Sequence, residues 1–383
     1  MEILLAKKIR LLGFLVLFLL LIGLGSYFVS TKNEKQTVDS WGIKKEQFNY
    51  NQTTFNDEEI IEAGENLLNG KLVVYDKFET PLYDLTTLDW NMNFTDSPNT
   101  FQLYLQSLMF LEYLSKAYEL TEDVKYLDLG KKFLIQWDKY RVSEEASKNS
   151  FVWYDHGTAL RANNIIYFVL TTEAEKDYFT KEEREWIKGL IIEHGEFLAN
   201  DKNYTENHNH GIFQDQALLY IAYFLNNESK KAWVELAKNR LTEQKTFAFS
   251  TEMVHVENSP GYQAGVMELF REVAEFLSYF NNDFGELLYK DVKKSAEFMA
   301  YIMKPNGVVA EVGDTNSSLN PTNIGNLNLQ KFENDSLSYA SSKGKVGTKP
   351  EQNSKIFAKS GYYLSRNNWN VEDITMSTWM MFK

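Results

Sequence analysis

The chain has 383 residues, with 53 acidic and 40 basic side chains, a net charge of −13 and no cysteine. This negative balance argues against a nucleic-acid partner, because no basic field covers the whole molecule. The absence of cysteine excludes disulfides, thiol catalysis and zinc sites with cysteine ligands. Hydrophobic residues make up 44% and aromatic residues 15%, so we expect a packed globular chain and exclude a disordered one.

The N-terminal segment, residues 1–30, contains an uncharged apolar run at 11–29 that follows three basic residues. About 20 apolar residues are enough to cross a bilayer, and the basic flank predicts that the N terminus stays cytoplasmic. Small residues near the end of the run leave a cleaved signal peptide as the alternative. We therefore predict a membrane anchor, or secretion after cleavage, with the rest of the chain outside the cytoplasm.

The central part of the chain has the pattern of a helical domain. Residues 31–56 are polar and aperiodic, which predicts a spacer. From 57 to 304 apolar residues recur at helical spacing, as at Phe101, Tyr104 and Leu108, and polar joints separate the runs. Eight or more helices in series predict antiparallel pairs that close into an α/α toroid or continue as a solenoid. The lack of a strict sequence repeat favours the toroid.

The C-terminal part changes character. Residues 305–354 are rich in Gly, Asn, Ser and Pro, which predicts a linker and loops. Two alternating runs, 355–366 and 373–383, predict β-strands. A sheet that ends on an unpaired apolar strand predicts a truncated domain. The predicted fold is thus mainly α: an incomplete α/α toroid, followed over 355–383 by the first strands of a truncated antiparallel β-sandwich.

Four of the five histidines fall in three short polar stretches, residues 151–161, 204–216 and 253–263. Each stretch precedes or begins a predicted helix. Because the inner helices of a toroid begin along one face of its cavity, these stretches could converge there and offer free backbone N–H groups to a carboxylate. We find no phosphate-binding glycine loop, no zinc-protease motif and no serine-hydrolase motif, so neither a metal nor a cofactor is expected.

The second stretch contains two asparagines, two histidines and a glycine at 207–211. Helix capping accounts for one asparagine and leaves the rest of the cluster unexplained. Asn209, His210 and His208 are therefore candidate functional residues. Gln214 joins them because it lies one turn beyond His210 on the same predicted helix face.

The third stretch has a Ser-Pro-Gly turn signal at 259–261, and Tyr262 then opens an amphipathic helix. Tyr262 is a candidate site residue, although it could simply be the first core residue of that helix. Glu257 and Asn258, just before the turn, are candidates for ligand contact.

The remaining candidates leave alternatives open. His156 and Arg161 lie in the first stretch, and Arg161 could equally be a structural ion-pair partner. Two carboxylates that flank a glycosidic bond would instead mark a glycoside hydrolase, for which Asp215 and Glu257 are the pair to test. Asp314 is expected to organise a loop.

Five motifs, in order over roughly residues 60–320, resemble the heparinase II/III superfamily of polysaccharide lyases. They are Asp89-Trp90-Asn91, Ala117-Tyr118 with Lys125-Tyr126, Trp153 with Thr158-Ala159-Leu160-Arg161, Asn209 to Gln214, and Glu257 to Tyr262. The resemblance implies a helical toroid packed on an antiparallel β-sandwich, with the substrate between them. The implied partner is an acidic polysaccharide, cleaved by β-elimination at a uronic acid.

The resemblance also implies roles for individual residues. Asn209 and His210 would stabilise the enolate-like state at the uronate carboxylate, and Tyr262 would be the general base and acid. Substrate contacts would fall to Trp90, His156, Arg161, His208, Gln214, Glu257 and Asn258. A further catalytic histidine of the family lies in the β-domain, beyond the last residue here, so these residues form a partly assembled site. A non-catalytic glycan-binding module at the cell surface is the alternative.

Overall fold

The structure, a computed structural model, describes residues 40–76, 81–84, 86–94, 96–315, 329–369 and 376–383. The chain divides into two compact units, 1–42 and 43–383, and only residues 40–42 of the first are described. Within the second unit the described residues form eleven α-helices: α1 (Asp57–Leu68), α2 (Pro98–Gln106), α3 (Phe110–Thr121), α4 (Lys125–Arg141), α5 (Asp155–Thr172), α6 (Lys181–Ala199), α7 (Asn209–Leu225), α8 (Lys230–Ala248), α9 (Pro260–Ser278), α10 (Asp283–Ile302) and α11 (Asp335–Ser341).

Alternate helices form an inner ring. Helices α3, α5, α7 and α9 contact one another in chain order, and α4, α6, α8 and α10 return between them. The connections are short, so each inner helix is antiparallel to the helix that follows it, and the inner helices are parallel to one another. Each inner helix contributes a fully buried phenylalanine to the core: Phe110, Phe168, Phe224 and Phe270. The predicted helical toroid is confirmed.

Local sequence signals fix where several helices begin. Asn56 caps α1 by accepting from the N–H groups of Glu58 and Glu59, and the Glu59 carboxylate accepts from the N–H of Asn56. Thr180 and Glu183 make the same reciprocal arrangement at α6. These capping boxes satisfy backbone donors that the helix itself leaves without acceptors.

The segment before α1 differs from the predicted spacer. From residue 43 it packs on the helices: Phe48 is buried and its ring lies 4.8 Å from that of Tyr220. Lys45 forms a 2.8 Å ion pair with Glu119 and lies over the ring of Tyr167. These contacts lie on the C-terminal halves of three inner helices. The packing of this segment was not predicted, because a few isolated aromatic residues in a polar stretch produce no periodic pattern of apolar residues.

The sheet has three antiparallel strands in the order β1 (Ser354–Phe357), β2 (Tyr362–Arg366) and β3 (Trp379–Phe382). The run predicted as one strand over 355–366 is a hairpin, because Gly361, with φ of 74°, allows a tight turn. The predicted linker at 305–354 contains the short helix α11 and a 3₁₀ turn at Leu329–Phe332. A mainly helical chain with a small antiparallel sheet confirms the predicted fold class.

The prediction of an N-terminal membrane anchor, with the rest of the chain outside the cytoplasm, is overturned. Among the described residues, no helix has both the length and the apolar character needed to cross a membrane. The longest, α10, has 20 residues, and acidic and basic side chains recur along it. Residues 1–30, where the anchor was predicted, lie outside the described residues.

Candidate active site

Three polar segments meet at one end of the inner ring. Helices α5, α7 and α9 begin at Asp155, Asn209 and Pro260. Because these helices are parallel neighbours, their N-terminal segments lie side by side. We call residues 154–156, 208–211 and 255–262 the site rim. The structure thus brings together parts of all three polar stretches of the sequence.

Asp155 and His210 form the central pair of the site rim. The His210 Nδ1 lies 3.2 Å from the Asp155 Oδ2, which also accepts from the Thr205 hydroxyl. Burial raises the pKa of Asp155, but hydrogen bonds from His210, Thr205 and the backbone of His156 outweigh it and lower the pKa to about 2. The ionised carboxylate therefore holds Nδ1 of His210 and leaves Nε2 for a ligand.

His156 packs against this pair. Its ring centroid lies 4.7 Å from that of His210 and 4.5 Å from that of Phe213. Burial, with a smaller effect of His210, lowers the pKa of His156 to about 3, so the ring is neutral at pH 7. Its Nε2 is buried and has no hydrogen-bond partner among the described residues. His156 is thus a stacking partner of His210 on the buried side of the site rim.

His208 caps α7, a role that the sequence suggested for an asparagine. The His208 Nδ1 accepts from the backbone N–H of His210 at 3.2 Å. Asn209 is therefore not used as the cap and becomes the first residue of α7. Its Oδ1 is buried without a hydrogen-bond partner among the described residues.

Gly211 and Gln214 position the loop that leads into α7. A Cβ at Gly211 would overlap the Gln244 amide and the Thr205 carbonyl oxygen. Gln214, a predicted substrate contact, is fully buried. Its amide donates to the Asn203 carbonyl at 2.8 Å and accepts from the Thr205 N–H at 2.9 Å. The structure therefore places Gln214 behind the loop and off the open rim.

The turn before α9 presents Tyr262 to solvent. Asn258 adopts a left-handed φ of 55°. The Ser259 Oγ accepts from the Tyr262 N–H at 3.3 Å, and the Thr315 hydroxyl accepts from the Gly261 N–H at 2.9 Å. The Tyr262 side chain is 39% exposed, which rules out its reading as the first core residue of the helix.

His255 lies beside Tyr262 and is buried. The two rings are nearly parallel, with centroids 6.3 Å apart. Burial lowers the pKa of His255 to about 4, so the ring is neutral at pH 7. Its Nδ1 accepts from the Glu257 N–H at 3.3 Å, which orders the backbone before the turn.

Glu257 links the two halves of the site rim. Burial and His210 lower the pKa of His208, whereas the carboxylates of Glu257 and Asp155 oppose that shift. Glu257, in the turn that precedes Tyr262, thus exerts an electrostatic effect on His208, which caps α7.

Trp90 and Arg161 lie away from the open rim. Trp90 is 4% exposed and stacks on Tyr140, with ring centroids 6.0 Å apart. Arg161 is fully buried over the ring of Trp137, and its Nε donates to the Nε2 of His194 at 2.9 Å. Both residues were predicted to contact substrate, but in this structure they stabilise the fold. The structural partner of Arg161 is His194, whereas the sequence had suggested an ion pair.

The carboxylate pair that would mark a hydrolase does not assemble. Asp215 is fully buried; it accepts from the Tyr204 hydroxyl at 2.9 Å and lies 3.7 Å from the Arg240 guanidinium. It therefore cannot flank an open cleft with Glu257. Asp314 is exposed, outside the helices and strands, and directly precedes Thr315, whose hydroxyl accepts from the Gly261 N–H; this is consistent with the expected loop role.

Asp155 and His255 were not among the predicted site residues. The signal for Asp155 was its position directly before His156 at a helix start, where a carboxylate can reach the neighbouring rim segment. His255 was visible only as a histidine two residues before Glu257. Nothing in the sequence distinguished its buried ring from an exposed one.

The site rim carries hydrogen-bond donors and two phenols, those of Tyr154 and Tyr262. In the part of the chain that the structure describes, no group of three or more His, Asp or Glu side chains could hold a metal ion. The polar groups of the rim include the Asn209 amide, the His210 Nε2 and the hydroxyl of exposed Tyr262. Such a set suits an anionic ligand and a proton transfer beside it.

Comparison with known proteins gives a family match over most of the chain. The sequence profile of the heparinase II/III N-terminus matches residues 24–336. A heparin-sulfate lyase of Bacteroides thetaiotaomicron is 24% identical over 319 residues, which cover 76% of this chain and 43% of that protein. A heparin-sulfate lyase of Bacteroides stercoris is 25% identical over 179 residues, 45% of this chain and 27% of that protein.

Solved structures show the same fold. The heparan sulfate lyase of Pedobacter heparinus superimposes with a TM-score of 0.70 and 17% identity, covering 88% of this chain and 53% of that one. A heparinase III superimposes with a TM-score of 0.68 and 20% identity, covering 88% and 54%. The chain thus spans about half the length of the relatives it matches.

Proposed function

The chain belongs to the heparinase II/III family, and from this premise we propose that it acts as a polysaccharide lyase on an acidic, uronic-acid-containing polysaccharide. The observation that supports the proposal is that the neighbouring helices α7 and α9 carry His210 and exposed Tyr262 in their first turns. The names of the curated relatives make heparan-type polysaccharides the first substrates to assay.

The chemistry assigned to the rim is β-elimination. Removal of the C5 proton of a uronate places a second negative charge beside its carboxylate, so the barrier falls only if donors stabilise the enolate-like state. We assign that role to the Asn209 amide and to the imidazolium form of His210, whose Nδ1 donates to the Asp155 carboxylate while its Nε2 donates to the substrate. The proton removed from C5 passes to the general base, and the C4–O4 bond breaks as the C4–C5 double bond forms.

We assign the general base and acid to Tyr262. A tyrosinate needs positive charge or desolvation nearby. Burial keeps His255, beside the ring, neutral at pH 7, so His210 or the N terminus of α9 would supply that charge. After proton abstraction the same phenol protonates the leaving oxygen.

The test is the ultraviolet absorbance of the unsaturated uronate formed from heparan-type polysaccharide. Tyr262→Phe should lower the rate by at least about 100-fold, the usual contribution of general acid–base catalysis. Tyr279→Phe is the matched control, because Tyr279 is exposed at the far end of the same helix and should leave the rate unchanged.

Two outcomes would overturn the proposal. New reducing ends without the double-bond absorbance would mean hydrolysis, although the burial of Asp215 speaks against it. Binding of the polysaccharide without turnover would mean a glycan-binding module.

A further inference from the structure

A polar groove opens just ahead of α5. Its cavity volume is about 530 Å³. We call it the amide groove, because most of its lining carries side-chain amides or hydroxyls: Asn91, Asn93, Gln102, Glu145, Lys148, Asn149, Ser150 and Phe151. None of these side chains belongs to the site rim.

The floor of the amide groove is held by its own hydrogen bonds. The Asn149 amide donates to the Gln102 Oε1 at 2.9 Å and to the Tyr140 hydroxyl at 3.2 Å. The Tyr140 hydroxyl donates to the Asn91 Oδ1 at 2.7 Å. Gln102 in turn donates to the backbone carbonyl of Met92 at 2.6 Å. The floor is therefore preorganised, which lowers the entropy cost of binding.

Above this floor, several groups remain available to a ligand. Asn93 and Ser150 are exposed, and the Asn91 amide nitrogen is not used in the floor network. Amides and hydroxyls both donate and accept, so they match the hydroxyl and acetamido groups of a sugar. The two charged lining residues, Glu145 and Lys148, have opposite signs, and Lys148 is paired with Glu144 at 3.3 Å. The groove therefore lacks the excess of positive charge that a highly charged anionic ligand would need.

Half-exposed aromatic rings connect the amide groove to the site rim. Phe151 lines the groove, and its ring centroid lies 5.3 Å from that of Tyr154. The Tyr154 ring lies 6.2 Å from that of His210. A flat, partly exposed ring between two polar sites is a surface on which a sugar ring can stack.

We propose that the amide groove is an additional saccharide subsite, which holds an uncharged sugar of the polysaccharide beyond the sugar whose bond is cleaved at His210. Phe151 provides the stacking face, and Asn91, Asn93 and Ser150 provide the hydrogen bonds. This proposal depends on the proposed function in one respect: it assumes that the ligand is a polysaccharide.

The test compares the affinities of a long and a short oligosaccharide by isothermal titration of the full chain. The probes are glucuronic acid–N-acetylglucosamine oligomers, a decasaccharide long enough to fill both sites and a disaccharide too short to fill both. Phe151→Leu and Asn93→Ala should each weaken decasaccharide binding by about five- to tenfold, as expected for one lost contact, and leave the disaccharide unchanged. Phe151→Tyr should bind the decasaccharide with the affinity of the wild type, because tyrosine keeps the flat ring.

Matched controls lie on α8, where Phe247 and Asn239 are exposed away from the groove. Phe247→Leu and Asn239→Ala should bind both oligomers like the wild type. Decasaccharide affinities within twofold of wild type for both groove variants would overturn the subsite, even if the chain is an active lyase. Weaker decasaccharide binding in a chain that shows no turnover would support the subsite while the proposed lyase activity fails. No binding of either oligomer to the wild type would overturn both.

Discussion

Asp155 is the residue whose charge organises the site rim, and its environment makes a prediction about stability. Its folded-state pKa of about 2 lies below the ordinary value of 3.8, so folding favours the ionised form. The resulting stabilisation is present above about pH 4 and is lost as the pH falls towards 2.

We predict that Asp155→Asn lowers the free energy of unfolding by about 2 kcal/mol at pH 7, because the variant loses this charge-dependent term. Urea unfolding at pH 7, 5 and 3 measures it, and the difference from wild type should shrink at the lowest pH. Asp314→Asn, in an exposed loop, is the control and should have little effect. A loss that stays constant with pH would contradict the electrostatic origin.

His156 also makes the folded state less stable as the pH falls, but for a different reason. Its folded-state pKa of about 3 lies below the ordinary 6.5, because burial excludes the charged ring. Between pH 6.5 and 3 the unfolded chain binds a proton that the folded chain does not, so the folded state loses stability as the pH falls.

We expect His156→Phe, which keeps the stacking area, to remove this acid sensitivity. Between pH 7 and 4 the wild type should lose about 3 kcal/mol more stability than the variant. Chemical unfolding at the two pH values measures the difference. His208→Phe, at an exposed position, should change the pH dependence much less. Equal slopes in wild type and His156→Phe would show that His156 is protonated in the folded chain.

At the scale of single elements, the start of α7 depends on how closely its backbone approaches the preceding loop. The Gln244 amide donates to the Tyr204 hydroxyl at 3.0 Å and to the Thr205 carbonyl at 3.1 Å. Both the Gln244 amide and the Thr205 carbonyl occupy the space that a Cβ of Gly211 would need. One of these contacts is with backbone, so the loop itself would have to move.

We predict that Gly211→Ala destabilises the chain by about 3 kcal/mol, the upper range for overpacking, and displaces His208 and His210. Gly265→Ala in α9 is the matched control, since a Cβ there meets nothing within 4 Å. It should be neutral or stabilise by up to about 1 kcal/mol through helix propensity. Thermal or urea unfolding distinguishes the two, and equal effects would refute the steric argument.

The sequence patterns predicted the helices correctly, but they did not predict which polar side chains are buried. Apolar spacing and polar joints suffice for a helical ring, and polar clusters at helix starts marked Asn209, His210 and Tyr262. The burial of Arg161 and Gln214 could not be foreseen, because their acceptors depend on chain packing. His194 lies 33 residues from Arg161, and only the fold brings them together. From the sequence alone, a polar residue that faces a ligand cannot be distinguished from one that is buried in the core.

At the scale of the whole molecule, the sheet is joined to the segment that carries the site. The β1–β2 turn places the backbone N–H groups of Lys359 and Ser360 on the Glu252 carboxylate, at 2.8 and 3.1 Å. The Tyr362 hydroxyl donates to the Asn258 carbonyl at 3.1 Å. The hairpin thus contacts the loop just before the Tyr262 turn.

We predict that Glu252→Ala loosens this junction while the helical ring stays folded, because two backbone donors and the Ser360 hydroxyl lose their acceptor. Hydrogen–deuterium exchange should rise over residues 354–366 and 253–262 and stay constant in α5. Glu62→Ala, exposed on α1, is the control and should change neither region. Unchanged exchange in the hairpin would show that the junction does not depend on Glu252.

Because the rim segments come from successive helical hairpins, they recur along the chain at intervals of roughly fifty residues, from Asp155 to Asn209 to Pro260. Each segment is therefore carried by its own cassette of two helices. Exchanging one cassette with that of a homologue would replace one wall of the site and leave the other two walls intact. Such chimaeras would show which of the three segments determines what the site binds.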